Sequence, residues 1–140
     1  MKNVLIVDDN LGFLYWLGET LAGARYQPWP ALSTPEAVAI VRNKTLAQLD
    51  LLVVNPSLPG ARRLIARLRS GLPDLKVMAV DPVNDRQVHG VDAWRARPES
   101  GTKSVRQEWL REIDRVVANR KEASHLKSLN HKRPHHKRAA

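Results

Sequence analysis

Five polar residues from four separate segments stand where chemistry could be built. Asp8 and Asp9 follow the apolar run Val4–Val7 directly. Asn55 follows Leu51–Val54, Asp81 follows Leu75–Val80, and Arg97 follows Val91–Ala96. A carboxylate at a strand end can serve as a nucleophile, whereas the amide of Asn55 cannot be activated in that way. Arg97 carries a planar fork of N–H donors that can grip a carboxylate through two bonds, with Asp81 or Asp9 as the expected partner. A pocket in which one arginine and two or three aspartates satisfy one another is therefore expected. Simple capping of the next helix is the competing use of Asp8 and Asp9.

The elements that must position these residues alternate. Val4–Val7 and Leu51–Val54 are wholly apolar and rich in β-branched residues, as strands buried on both faces require. Leu75–Val80 is the fourth strand in chain order, and Val91–Ala96 is a weaker fifth. Tyr26–Leu32 contains Pro28 and Pro30, which suit only an edge strand. Between the strands, residues 11–23 carry Leu11, Leu14, Leu17 and Leu21 at helical spacing. Thr34-Pro35 marks a second helix start, with Thr34 as the cap. Leu64, Ile65 and Leu68 mark a third helix. Residues 102–119 form the clearest one, with Val105, Trp109, Ile113, Val116 and Val117 on one face. Alternating strands and helices predict an α/β layered fold with a parallel sheet, whose chemistry lies beyond the carboxyl ends of the strands.

Composition narrows the function classes. The 140 residues fit one domain and include no cysteine, which excludes disulfides and thiolate metal sites. No signal peptide or membrane-spanning run is visible, so a cytoplasmic protein is expected. The formal charge of +9 is concentrated at one end. Residues 120–140 hold seven Lys or Arg against one acid and four of the five histidines. The chain accordingly divides into a domain over 1–119 and a basic, His-rich tail over 120–140, expected to be disordered. Residues 121–140 offer weak contact to nucleic acid or an anionic surface, and are too few to form an output domain. Trp94 and Trp109 read as packing residues, and Trp29, between two prolines, as a candidate partner contact.

Taken in order, these motifs resemble the receiver domains of bacterial two-component response regulators, the CheY-like superfamily. The match covers residues 1 to about 119. It rests on Val4–Asn10, on Asp50–Gly60 with Pro59 four residues after the acceptor position, on Gly90–Trp94, and on Arg97-Pro98 in place of a Lys-Pro pair. The resemblance implies a doubly wound, flavodoxin-like three-layer fold with a five-stranded parallel sheet in order 2-1-3-4-5. It also implies an Mg²⁺ site from Asp8, Asp9, position 55 and the carbonyl of Ser57, and a protein partner such as a histidine kinase or another regulator.

The chain departs from that pattern at most reactive positions. The acceptor is Asn55. The hydroxyl position falls on Asp81, or on Val80 if the alignment slips by one. The aromatic switch position is Trp94, the lysine is Arg97, and a small residue of the third loop is Arg63. The segment from Asp81 to Gly90 is about six residues shorter than the family's, which leaves the fourth helix shortened or missing. The expectation is an atypical stand-alone receiver without phosphoryl acceptance or enzymatic activity, serving as a protein-interaction module in signal transduction. It requires no cofactor, and its Mg²⁺ site is weak or lost. The rival expectations are a phosphorelay receiver with a non-standard acceptor, and a receiver scaffold that binds nucleic acid or an anionic surface through its tail.

Overall fold

The computed structural model describes residues 1–44, 48–80 and 88–132, with side chains described up to Asn119 in the last helix. Five strands, β1 (Lys2–Val7), β2 (Tyr26–Ala31), β3 (Leu49–Val54), β4 (Lys76–Val80) and β5 (Ala93–Arg95), form one sheet. Its order is β2-β1-β3-β4-β5 and every pairing is parallel. Among the described residues there are four helices: α1 (Leu11–Ala22), α2 (Thr34–Lys44), α3 (Ala61–Gly71) and α4 (Lys103–Lys132). The expected doubly wound fold is the observed one. The expectation of a shortened or missing fourth helix falls on residues 81–87, which lie outside the described residues, as does Asp81 itself.

Strand periodicity divides the core in two. Val4, Ile6, Leu51, Val53, Met78 and Val80 point to the face covered by α1 and α4. Leu5, Val7, Leu52, Val54 and Val77 point to the face covered by α2 and α3. Successive side chains of a strand face opposite ways, so apolar runs without alternation need cover on both sides. β2 lies at the sheet edge, as its prolines demand. Ala31 turns its carbonyl toward β1, where it accepts from the Asp8 N–H at 3.1 Å. By the same period of two, Pro28 and Pro30 turn their donorless nitrogens away from the ladder.

Two local starts are capped by side chains, and the second differs in detail from the sequence reading. Asn10 caps α1, its side chain accepting from the Phe13 N–H at 2.9 Å. At α2 the cap is Ser33 and not Thr34. The Ser33 hydroxyl accepts from the Glu36 N–H at 3.2 Å, and the Glu36 carboxylate accepts from the Leu32 N–H, a variant of the capping box. Thr34 is buried and donates instead to the Pro59 carbonyl at 2.8 Å, tying this turn to the β3–α3 loop. A Cβ at Gly60 (φ 80°) would meet the Thr34 hydroxyl at 3.0 Å, so this close approach and the left-handed turn both require glycine.

The α1–α4 layer is locked by aromatic rings. Trp109 is buried and meets Phe13 edge-on at 5.6 Å and Trp16 at 5.7 Å between centroids. Gly101, in the loop before α4, lies against the Trp16 indole, where a Cβ would sit 2.8 Å from Nε1. Tyr26 donates its hydroxyl to Asp114, fixing α4 to the edge strand. Burial first, then this bond, raises the Tyr26 phenol above its ordinary range. Trp29, a candidate partner contact by sequence, is half-buried, packs on the α2–α3 side and donates to Asn3 at 3.0 Å. The sequence reading ends the folded part at 119 and places a disordered tail beyond it. The backbone of α4 is described as helix as far as Lys132, with no Gly or Pro between Gly101 and Pro134.

Trp109→Ala is expected to cost about 3–5 kcal/mol in urea unfolding. Gly101→Ala should cost about 1–3 kcal/mol by overpacking against Trp16; a neutral result would mean that the loop yields freely. A raised phenol favours the neutral form in the fold, so its stabilisation is present below the free-tyrosine range and lost as pH climbs. Between about pH 9 and 12, stability should fall less steeply in Tyr26→Phe than in the wild type.

Candidate functional site at the carboxyl edge of the sheet

Register brings the site together. Val7 lies beside Val54, Val54 beside Ala79, and Ala79 beside Trp94. The residues that follow these rows, Asp8 and Asn55, therefore reach the carboxyl edge at one level. Asp8 continues the side of Val4 and Ile6, Asn55 that of Leu51 and Val53, and Arg97 that of Ala93, so all three fall toward the α1–α4 face. The Asn55 N–H donates to the Val7 carbonyl at 3.0 Å, which fixes the two strand ends against each other.

Asp8 is 0% exposed, and both of its carboxylate oxygens are engaged by one guanidinium. Arg97 Nε donates to Oδ2 at 2.8 Å, and a terminal nitrogen donates to Oδ1 at 2.8 Å. This is the bidentate geometry that only arginine supplies. Asn55, 7% exposed, donates through Nδ2 to Asp8 Oδ1 at 3.2 Å. Its Oδ1 accepts from the Ser57 N–H at 2.9 Å. Both ends of the amide are thus used, and the orientation of Asn55 is determined on two sides. The Arg97 side chain is 30% exposed while its fork holds Asp8.

The remaining expected site residues are dispersed. Asp9 is exposed, and among the described residues Arg97 pairs with Asp8 and not with Asp9, the other expected partner, Asp81, lying outside them. A side chain directly beyond the strand keeps the inward direction of its alternating row, and the next one turns out. Ser57 is exposed, with its N–H turned to Asn55. Val80 ends β4 fully buried in the α1–α4 core and offers no polar group. Trp94 is half-buried on the α2–α3 side, opposite to the site. Arg63 lies exposed in the first turn of α3.

Two features had no place in the sequence reading. One is Asp92, which accepts from the Val77 N–H at 2.8 Å and from Arg69 at 3.1 Å, and lies 3.7 Å from Lys76. It anchors the entry to β5 and so sets where Arg97 emerges. Its position beside the glycine of the Gly90-Val91-Asp92 turn was the available signal. The other is a cavity of about 290 Å³ between α1 and the β5–α4 loop, with Gly12, Trp16, Arg97, Ser100 and Gly101 in its wall. Arg97, and not Asp8, faces that space. No helix among the described residues is long and apolar enough to cross a membrane.

No protein-family model matches this chain, and no curated protein matches it in sequence. Solved structures do match. A response regulator receiver domain protein (CheY-like) from Methanospirillum hungatei JF-1 aligns with a TM-score of 0.71 at 20% identity, covering 88% of this chain and 98% of that one. A putative response regulator from Chloroflexus aurantiacus aligns with a TM-score of 0.66 at 25% identity, over 84% of this chain and 98% of the other. NtrX from Brucella abortus aligns with a TM-score of 0.72 at 14% identity, over 91% of this chain but only 30% of its own length. The fold of this chain is that of the CheY-like response-regulator receiver domains.

Proposed function

We propose that this chain is an atypical receiver: a signalling module that does not accept a phosphoryl group at position 55, catalyses no reaction, and works by binding a protein partner in the cytoplasm. The observation that carries this reading is the engagement of Asn55. A phosphoacceptor needs a carboxylate with a free oxygen aimed at the incoming phosphorus. Here the residue at the end of β3 is an amide whose nitrogen donates to Asp8 and whose oxygen accepts from Ser57. The neighbouring carboxylate, Asp8, is buried and committed to Arg97. With acceptance absent, what the scaffold still offers is surface, and a histidine kinase or another regulator is the class of partner that fits. The similarity to about a third of NtrX supports a module that can work beside other domains.

A receiver with a non-standard acceptor is the second reading, because Asp9 is exposed beside the site. One experiment separates the two. After incubation with acetyl phosphate and Mg²⁺, the intact mass should be unchanged. A gain of one phosphoryl group, mapped by peptide to Asp9, would establish the second reading, and mapped to any other carboxylate would equally sink the first. Asn55→Asp is expected to give little labelling, because Arg97 still holds Asp8. It should also lower stability by about 1–3 kcal/mol, since a donor to Asp8 is replaced by a like charge. Efficient labelling of that single variant would contradict the account of the pocket.

A further inference from the structure

The divalent-cation site implied by the receiver resemblance does not fit the groups as they stand. Both oxygens of Asp8 receive guanidinium N–H bonds at 2.8 Å, and Oδ1 also receives the Asn55 amide at 3.2 Å. The one side-chain oxygen of Asn55 is taken by the Ser57 N–H at 2.9 Å. The exposed Asp9 is the remaining carboxylate of the acidic pair. A dication here would have to displace a cation already seated on a buried carboxylate, with one negative charge fewer than a carboxylate at position 55 would provide. From the cavity between α1 and the β5–α4 loop, it would meet Arg97 before Asp8.

We propose that Arg97 is the resident cation of this site. Its guanidinium is tethered to the chain and holds the place beside Asp8 that a divalent ion would need, so the wild-type protein is indifferent to Mg²⁺. Removing the guanidinium leaves the buried Asp8 carboxylate without its counter-charge, a place that a hard cation can take up weakly, with Asp9 as the next carboxylate in the chain. The charge, and not only the fork, is what excludes the metal: two cations cannot share one buried carboxylate at close range. This inference goes beyond the proposed function, and it holds or fails independently of whether any residue accepts a phosphoryl group.

The test is thermal unfolding of the full chain in ~10 mM MgCl₂ against NaCl of equal ionic strength, a concentration above the weak end of oxygen-ligand sites. Mg²⁺ is preferred to transition metals because it avoids the histidines near the C-terminus. The wild type should show no shift. Arg97→Ala and the milder Arg97→Gln should unfold at lower temperature in NaCl and regain about 4 °C in MgCl₂. Arg97→Lys keeps the charge without the fork and should regain nothing, a distinction that a merely structural role would not produce. If a variant is unfolded in NaCl, recovery of helical circular dichroism on adding Mg²⁺ gives the same readout. A Mg²⁺-dependent rise in the wild type overturns the proposal, as does the absence of any Mg²⁺ response in both Arg97→Ala and Arg97→Gln.

Discussion

A carboxylate cut off from water has to be neutralised by something close, and Asp8 sets that constraint at the carboxyl edge of the sheet. Its compensation comes from Arg97, 89 residues away along the chain. For the fork to arrive, β5 must pair with β4, and the loop after it must turn back over α1. Asp92 anchors the start of β5, and the Trp16–Trp109 contact sets the height of α4 behind that loop. Losing one partner of a buried pair costs about 3–5 kcal/mol, a large share of the stability of a domain this size. The pair thus couples the first strand to the last one, and Asn55 enters as its third member.

Much of this was legible in the residues because burial leaves a plain mark. β1, β3 and β4 sit in the middle of a sheet covered on both faces, so the last four residues of each, Val4–Val7, Leu51–Val54 and Val77–Val80, had to be apolar. Two prolines could sit only at an edge, and β2 is there. Asp8, Asn55 and Arg97 were recognisable as site residues because each follows a strand at its carboxyl end. What the chain did not disclose depended on contacts between distant segments. Ser33 and Thr34 are adjacent hydroxyls of equal capping ability, and the Pro59 carbonyl across the loop decides between them. Likewise, the residues alone offered Asp81 or Asp9 to Arg97, and strand direction, which turns Asp8 inward and Asp9 out, gives the fork to Asp8.

Gly101 was the least legible position. Nothing in its neighbours marks it, yet the close approach of its backbone to the Trp16 indole determines how near the β5–α4 loop can lie to α1. That approach has an electrostatic cost. Among the described residues, the buried Trp16 indole N–H and the buried Thr20 hydroxyl one turn later have no hydrogen-bond partner. Both groups lie on α1 beside the ring cluster, where the packing is aromatic rather than polar. The charge pair and the ring cluster are therefore neighbouring devices of opposite character, one fully satisfied and one not.

The prolines of β2 have a consequence beyond the fold itself. A parallel sheet with an open margin invites another polypeptide to add a strand by main-chain pairing. At Pro28 and Pro30 the outward nitrogens have no hydrogen to give, so an incoming chain would find acceptors but no alternating donors to match. The edge that lies nearest to the buried first strand is thereby protected against templated aggregation.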